Sequence, residues 1–369
     1  MIYLDHNSTT NLLEEAKNAM LLALAKPFNP SAIHGFGREG KKIIEQARRQ
    51  IAGLSGIINY FRNYYITFTA SGTEANNLII SNFNNGEVFV SAIEHASILA
   101  HVKFGSNIQI ISVDENGIVN LEELKNKLSS SLAERKLVSI IFANNETGVI
   151  QDIKQIAKIA HDHGALIHSD CVQAFGKIPV NLAELDIDFA TISAHKIGGP
   201  VGAGALIRKA KYHLVPHIIG GGQEMGLRSG TENVAAIAGF GVAAEIASKE
   251  LESRYKHAKK LRDYLEKELV KILPQIKIVN QQSERLPNTS LIINLGKKAE
   301  TQIIALDLKN IAISSGAACS SGKIGSSKTL EAIGFSEEER DSAIRISLGY
   351  TTTKQDIDKF LRIYREINS

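Results

Sequence analysis

The sequence predicts an α/β protein: a large domain built on a mainly parallel, seven-stranded sheet, joined to a smaller α+β domain. Three observations carry this reading. Seven short apolar runs occur between residues 65 and 208, several of them separated by helical periodicity, which is the pattern of a parallel sheet covered on both faces. A second set of strand and helix patterns follows Pro274. At 369 residues the chain exceeds what one ordinary core accommodates, so more than one domain is expected.

Taken in order, residues 1–12 are polar and contain threonines, and they read as an arm that packs against something later in the chain. Helical periodicity starts near Leu12 and Leu13 and runs through Ala25, stopped by Pro27 and Pro30. The loop His34-Gly35-Phe36-Gly37 leads into a charged helix over 38–54. The strand-like runs are 65–69, 87–91, 108–113, 137–143, 165–169, 187–193 and 203–208, with helices predicted over 73–81, 121–132 and 153–163. A long, charged helical pattern over 239–273 reads as a connector. Strands over 276–279 and 290–295 and helices over 300–308 and 354–367 complete the smaller unit. The expected division is 13–250 for the large domain, and 1–12 with 251–369 for the small one.

Composition narrows the function. Apolar residues make up 44% and charged residues 22%, as in ordinary globular proteins. The net charge is only +3 and no basic cluster exceeds a short run such as Arg48-Arg49, so nucleic acid is not an expected partner. Met1-Ile2-Tyr3-Leu4 runs straight into Asp5-His6-Asn7 without a charged-then-apolar leader, and no apolar stretch reaches membrane length. A cytoplasmic protein without membrane contact is expected. Cys171 and Cys319 lie far apart in different contexts, which argues for free thiols rather than a disulfide framework. There is no metal-type spacing, so no metal is expected.

Ligands of open α/β sheets bind beyond the C-terminal strand ends, and five such ends carry polar groups here. The run ending at Ser193 delivers Ser193, His195 and Lys196 before Gly198-Gly199-Pro200 breaks regular structure. A lysine presented there is a candidate for Schiff-base chemistry, where desolvation lowers its pKa; the alternative is a surface lysine in a loop. Thr69-Ala70-Ser71-Gly72-Thr73-Glu74 follows a strand and opens a helix, an arrangement suited to a phosphate, or simply an N-cap by Ser71 or Thr73. It lacks the ending of a P-loop and the spacing of a dinucleotide fingerprint. Asp170 in Ile167-His168-Ser169-Asp170-Cys171-Val172-Gln173 can pair with a protonated ring nitrogen or act as a turn residue. His95 can stack on an aromatic cofactor or be a core histidine, and Asn144-Asn145-Glu146-Thr147-Gly148 closes a further strand.

Four motifs now stand in order: Ala143-Asn144-Asn145-Glu146-Thr147-Gly148, Ser193-Ala194-His195-Lys196 with Gly199-Pro200, Gly220-Gly221-Gly222-Gln223-Glu224 with Arg228-Ser229-Gly230-Thr231, and Ser314-Ser315-Gly316-Ala317-Ala318-Cys319-Ser320-Ser321-Gly322. With the stretch from Tyr3-Leu4-Asp5 to Arg345-Ile346-Ser347-Leu348-Gly349, the chain closely resembles the cysteine desulfurases of the NifS/IscS type, pyridoxal-phosphate (PLP) enzymes of aminotransferase class V and fold type I. The resemblance implies that Lys196 forms the Schiff base with the cofactor, that His95 stacks on its ring, that Asp170 holds the pyridine nitrogen and that Gln173 bonds the ring oxygen. Gly72, Thr73, Ser193 and His195 would bind the phosphate, joined by Thr231 from the partner subunit of a homodimer with shared active sites. Asn145 and Arg345 would hold L-cysteine, the arginine gripping its carboxylate through two hydrogen bonds.

Cys319 sits among Ser, Gly and Ala, which suits a reactive thiol, and the resemblance makes it the nucleophile that takes the substrate sulfur as a persulfide and passes it to an acceptor protein, in iron–sulfur cluster assembly or elsewhere. Its segment resembles the long-loop group, whose members can deliver sulfur directly. Cys171 stands where the family usually has alanine and reads as a small buried side chain. Val201 and Asn181 replace the usual lysine and aspartate, both expected to lie away from the chemistry. The rival readings are a selenocysteine lyase, another class V enzyme such as an aminotransferase, and a non-catalytic PLP-binding partner protein.

Overall fold

The computed structural model describes residues 1–105, 107–316 and 327–368. Among these, the strands are β1 (Ile2–Tyr3), β2 (Tyr64–Thr69), β3 (Glu87–Ser91), β4 (Ile108–Ile111), β5 (Lys136–Ile141), β6 (Leu166–Asp170), β7 (Phe189–Ser193), β8 (Gly204–Lys209), β9 (Lys277–Ile278), β10 (Thr289–Ile293), β11 (Ile311–Ala312), β12 (Ser314–Ser315) and β13 (Ala343–Ser347). The helices are α1 (Glu14–Leu24), α2 (Gly35–Leu54), α3 (Gly72–Ser81), α4 (Ala96–Leu99), α5 (Leu121–Ser130), α6 (Ile153–Asp162), α7 (Val234–Ile272), α8 (Ala299–Asp307), α9 (Lys328–Ile333), α10 (Glu337–Asp341) and α11 (Lys354–Asn368).

The seven-stranded sheet has the order β2-β8-β7-β6-β5-β3-β4. Its pairs are parallel from β7 to β4, while β8 runs antiparallel to both β7 and β2. The predicted fold is therefore present, with one reversed strand. β6 and β7 are buried almost throughout, as expected of strands whose faces are both covered by helices and whose sequences read as near-continuous apolar runs. This topology brings the C-terminal ends of β2, β7, β6, β5 and β3 to one edge of the sheet.

A second, four-stranded sheet has the order β12-β13-β10-β9, all antiparallel, and it lies over a separate apolar cluster that includes Leu265, Ile292, Ile344 and Phe360. α7 joins the two clusters: Phe240, Ala243 and Ala247 belong to the first, Leu261, Leu265 and Leu269 to the second. The helix runs unbroken for 39 residues, so the expected boundary at residue 250 falls inside it. The N-terminal arm pairs β1 with β11, and Asp5 bridges to Ser347, the last residue of β13.

Most predicted elements lie within a few residues of the observed ones. The sequence reading placed no element over β1, β11, β12, β13, α4, α9 or α10. β13 matters most, because it carries Arg345. Its sequence, Ala-Ile-Arg-Ile-Ser, is wholly buried, so the arginine interrupts an apolar run instead of alternating with it.

Candidate active site

The strand ends open into one cavity of about 340 Å³. Gly72, Thr73, His95, Asn145, Asp170, Gln173, Ser193, His195, Lys196 and Arg345 all line it. Thr231 is exposed on this chain and lies outside the cavity lining, in the loop before α7. Cys319 lies outside the described residues. Val201, expected away from the chemistry, forms part of the cavity lining, because the turn after Lys196 folds back to the cavity mouth, where Val201 stays exposed. Asn181 is remote, bonded to Glu184.

Each wall has a local cause. Ser71 caps α3, its Oγ accepting from Glu74 N at 3.1 Å, so the plain capping role exists and the helix N-terminus still faces the cavity. A Cβ at Gly72 would meet Val172 Cγ2 at 3.1 Å, so glycine keeps this cradle open. Amide groups of a first helical turn have no intrahelical acceptor, which makes this edge suited to an anion. Asp170 also lines the cavity: it is buried at the end of β6, its Oδ2 accepts from Asn76 Nδ2 at 2.8 Å and its Oδ1 accepts from Val172 N at 3.0 Å. The same Asn76 Nδ2 donates to Ser97 Oγ at 2.9 Å, and Ser97 Oγ lies 2.8 Å from His95 Nδ1. Acid and histidine thus belong to one hydrogen-bonded chain.

Lys196 follows β7, and its Nζ donates to the carbonyl oxygens of Asn7 and Ser8, both at 2.5 Å. Burial, with Lys196 and Lys177 nearby, pushes the neighbouring His195 down to about 4, so its ring is neutral near pH 7 and can accept as well as donate. Arg345 is 1% exposed, and donates from Nη1 to Asn145 O at 2.9 Å and from Nη2 to Asp5 Oδ1 at 2.7 Å and Ser8 Oγ at 3.0 Å. Its buried Nε has no hydrogen-bond partner among the described residues. A buried cationic donor of this kind lining a cavity is suited to an anionic ligand. Glu146 accepts from Ser327 Oγ at 2.5 Å and Thr329 Oγ1 at 2.9 Å, tying the Asn145 turn to the start of α9.

The sequence reading missed the arm's part in this site. Asn7 accepts at its backbone oxygen from Gln173 Nε2 and Lys196 Nζ, accepts at Oδ1 from Lys177 and Asn288, and donates from Nδ2 to Asn145 O and Thr289 Oγ1. The only signal available was the polar run from Asp5 to Thr10 itself. Glu94 also went unnoticed: it is buried beside His95, its Oε1 bonded to Ser91 Oγ and Ile141 N, and burial raises it to about 8.

Among the described residues no group of three or more side chains is disposed to hold a metal, and no helix is long and apolar enough to cross a membrane. The cavity thus brings together an acid, an amine and a helix N-terminus. The sequence matches the Aminotransferase class-V family over residues 2–360. It is 38% identical to the cysteine desulfurase IscS of Dictyoglomus turgidum, over 99% of this chain and 94% of that protein. It is also 38% identical to the cysteine desulfurase IscS of Rickettsia typhi, over 97% and 88%. The crystal structure of a NifS-like protein from Rickettsia africae superposes with a TM-score of 0.95 at 48% identity, over 100% of this chain and 99% of that one. A fold of this topology, a cavity of this chemistry and full-length similarity agree: the chain belongs to the class-V aminotransferase family, within its NifS/IscS cysteine desulfurase group.

Proposed function

We propose that the protein is a PLP-dependent cysteine desulfurase that converts L-cysteine to L-alanine and leaves the sulfur as a persulfide on Cys319 for an acceptor protein. The observation that carries the cofactor is the lining of one cavity by Asp170, Lys196 and the first turn of α3. These residues fit PLP: a buried carboxylate for the ring nitrogen, an amine for the aldehyde, and backbone amides with Ser193 and His195 for the phosphate. When bound, PLP supplies an electron sink for the substrate Cα. Asp170, held by Asn76 and Val172, keeps a proton on the ring nitrogen. Arg345 and Asn145 bind and orient the cysteine carboxylate, and Lys196 Nζ takes the Cα proton and later returns one. Cys319 as thiolate attacks the substrate sulfur; the sulfur–sulfur bond forms as the carbon–sulfur bond breaks, the electron pair of that bond is left on Cβ, and Cβ takes up a proton to become the methyl group of alanine.

On this reading the protein is a cytoplasmic homodimer in which Thr231 completes the partner's phosphate site, and its sulfur serves iron–sulfur cluster assembly or another acceptor. Large exposed apolar side chains at Leu22, Leu24, Ile33, Val215 and Ile219 support such an interface. The division into 13–250, and 1–12 with 251–369, is the corresponding domain assignment, supported by the two apolar clusters. The test compares wild type with Cys319→Ser on cysteine and selenocysteine. The variant is expected to keep the yellow absorbance of bound cofactor and to lose persulfide and alanine production from cysteine. Undiminished alanine release from cysteine in the variant refutes the assignment of Cys319.

A further inference from the structure

Lys177 is not among the groups that bond the cofactor or substrate on the reading above, yet its amine is hydrogen-bonded to two residues that line the cavity. Its Nζ donates to Gln173 Oε1 at 2.5 Å and to Asn7 Oδ1 at 2.7 Å. The other end of the same Gln173 amide, Nε2, donates to Asn7 O at 2.9 Å, and that oxygen also receives Lys196 Nζ at 2.5 Å. Two lysines and one glutamine are therefore gathered on a single buried asparagine. Burial, then the neighbouring Lys196 and Arg345 cations, hold the Lys177 amine well below the usual lysine range. The surroundings strongly disfavour a cation there, and these hydrogen bonds give the amine its partners.

A carboxamide has nearly the same shape in its two orientations, so its neighbours decide which edge donates. Here they decide it twice. Asn7 O can only accept, and the Lys177 N–H groups point donors at the other edge. Flipping the amide would set oxygen against oxygen and N–H against N–H. Of these two constraints Lys177 is the one supplied by a side chain, and so the one a substitution removes.

We propose that Lys177 is a positioning residue of the cofactor pocket, acting through Gln173: it fixes the amide so that the edge beside Lys196 is a donor. This rests on the functional reading above, in which Gln173 donates to the ring oxygen of PLP. Without Lys177, Oε1 is left as a buried acceptor without a donor, and only the bond from Nε2 to Asn7 O still holds the amide in the orientation that presents a donor to the ring oxygen.

The test uses the full-length protein, stripped of cofactor and titrated with PLP, reading the dissociation constant, the absorbance maximum of the bound cofactor and the melting temperature of the cofactor-free chain. Lys177→Met is expected to weaken PLP binding about tenfold and to shift the absorbance maximum, whereas Lys177→Arg, which restores donors, retains both. In a Gln173→Ala background Lys177→Met should add nothing, because its effect passes through that amide. Gln173→Glu, which leaves Lys177 intact but cannot donate, should reproduce the spectral shift and keeps the test open if Lys177→Met does not fold. Unchanged binding and absorbance in Lys177→Met, or an equal loss with Gln173 already removed, overturns the proposal. Failure of the wild type to bind PLP at all overturns the functional reading instead.

Discussion

At the scale of single residues, Arg345 and Glu94 show how burial converts ordinary side chains into specific instruments. Arg345 spans three acceptors on two elements, Asn145 O, Asp5 Oδ1 and Ser8 Oγ, which only a planar, forked cation can do from one position. Arg345→Lys is expected to raise KM for cysteine by about tenfold or more, since one ammonium cannot hold the arm and a substrate carboxylate together. Steady-state kinetics beside a melting curve separate that loss from general instability. Glu94 supplies a pH prediction. Its folded-state pKa of about 8 lies above the ordinary carboxylate value of 4.5, so between these values the folded protein holds a proton that the unfolded chain releases. The stability this provides is complete below about pH 4.5 and is lost as pH rises through 8. Glu94→Gln, which keeps an acceptor for Ile141 N and Ser91 Oγ, should therefore melt progressively higher than wild type as pH increases from 5 to 8. His6 and His195, both pushed down to about 4 mainly by burial, act with the opposite slope below their ordinary 6.5, and the difference between variant and wild type cancels them.

At the scale of elements, the close approach of α2 and α7 sets a rule that contradicts helix propensity. Gly241 lies within α7, where alanine normally stabilises by about 1 kcal/mol. A Cβ there would stand 2.7 Å from Ala47 Cα and 2.3 Å from Gln50 Oε1, and the first contact is with backbone that cannot turn aside. Gly241→Ala is expected to lower the melting temperature, and an increase would show that the two helices separate easily. The same scale explains what was legible in the sequence. Strands buried on both faces read as apolar runs, and the polar residue ending each run became a cavity wall, which is how Asp170, Ser193, His95 and Lys196 could be read in advance. β13 was not readable, because its central Arg345 breaks the run that would have announced it. Asn7 and Lys177 were not readable either. Asn7 is defined by hydrogen bonds that span 138 to 281 positions, with Asn145, Lys177 and Asn288, and although Gln173 is only four positions from Lys177, no local period shows that both meet that asparagine.

At the scale of the whole molecule, the N-terminal arm, like α7, ties the two apolar clusters together. Leu4 belongs to one cluster and Leu13 to the other, and between them Asp5 pairs with Arg345 while Asn7 reaches Thr289 on the smaller sheet and Gln173, Lys177 and Lys196 around the cavity. Most of these groups are buried, so losing a partner leaves unsatisfied donors that cost about 1–3 kcal/mol each. Removal of residues 1–10 takes away β1, the Asp5–Arg345 pair and the two carbonyl acceptors of Lys196 on Asn7 and Ser8 at once, while leaving both apolar clusters and α7 nearly intact. The truncated protein is therefore expected to keep its helical and strand content but to melt in two calorimetric transitions where the full chain shows one, and to lose PLP affinity along with the Lys196 geometry. Asn7→Ala, which keeps the backbone acceptor for Lys196 but removes the side-chain bonds to Lys177, Asn145 and Thr289, should fall between the two. A single transition at the wild-type temperature in the truncated protein would show that α7 and the remaining contacts, such as Glu146 with Ser327 and Thr329 and Val149 with Arg285, couple the two clusters and that the arm serves the cavity without holding the molecule together.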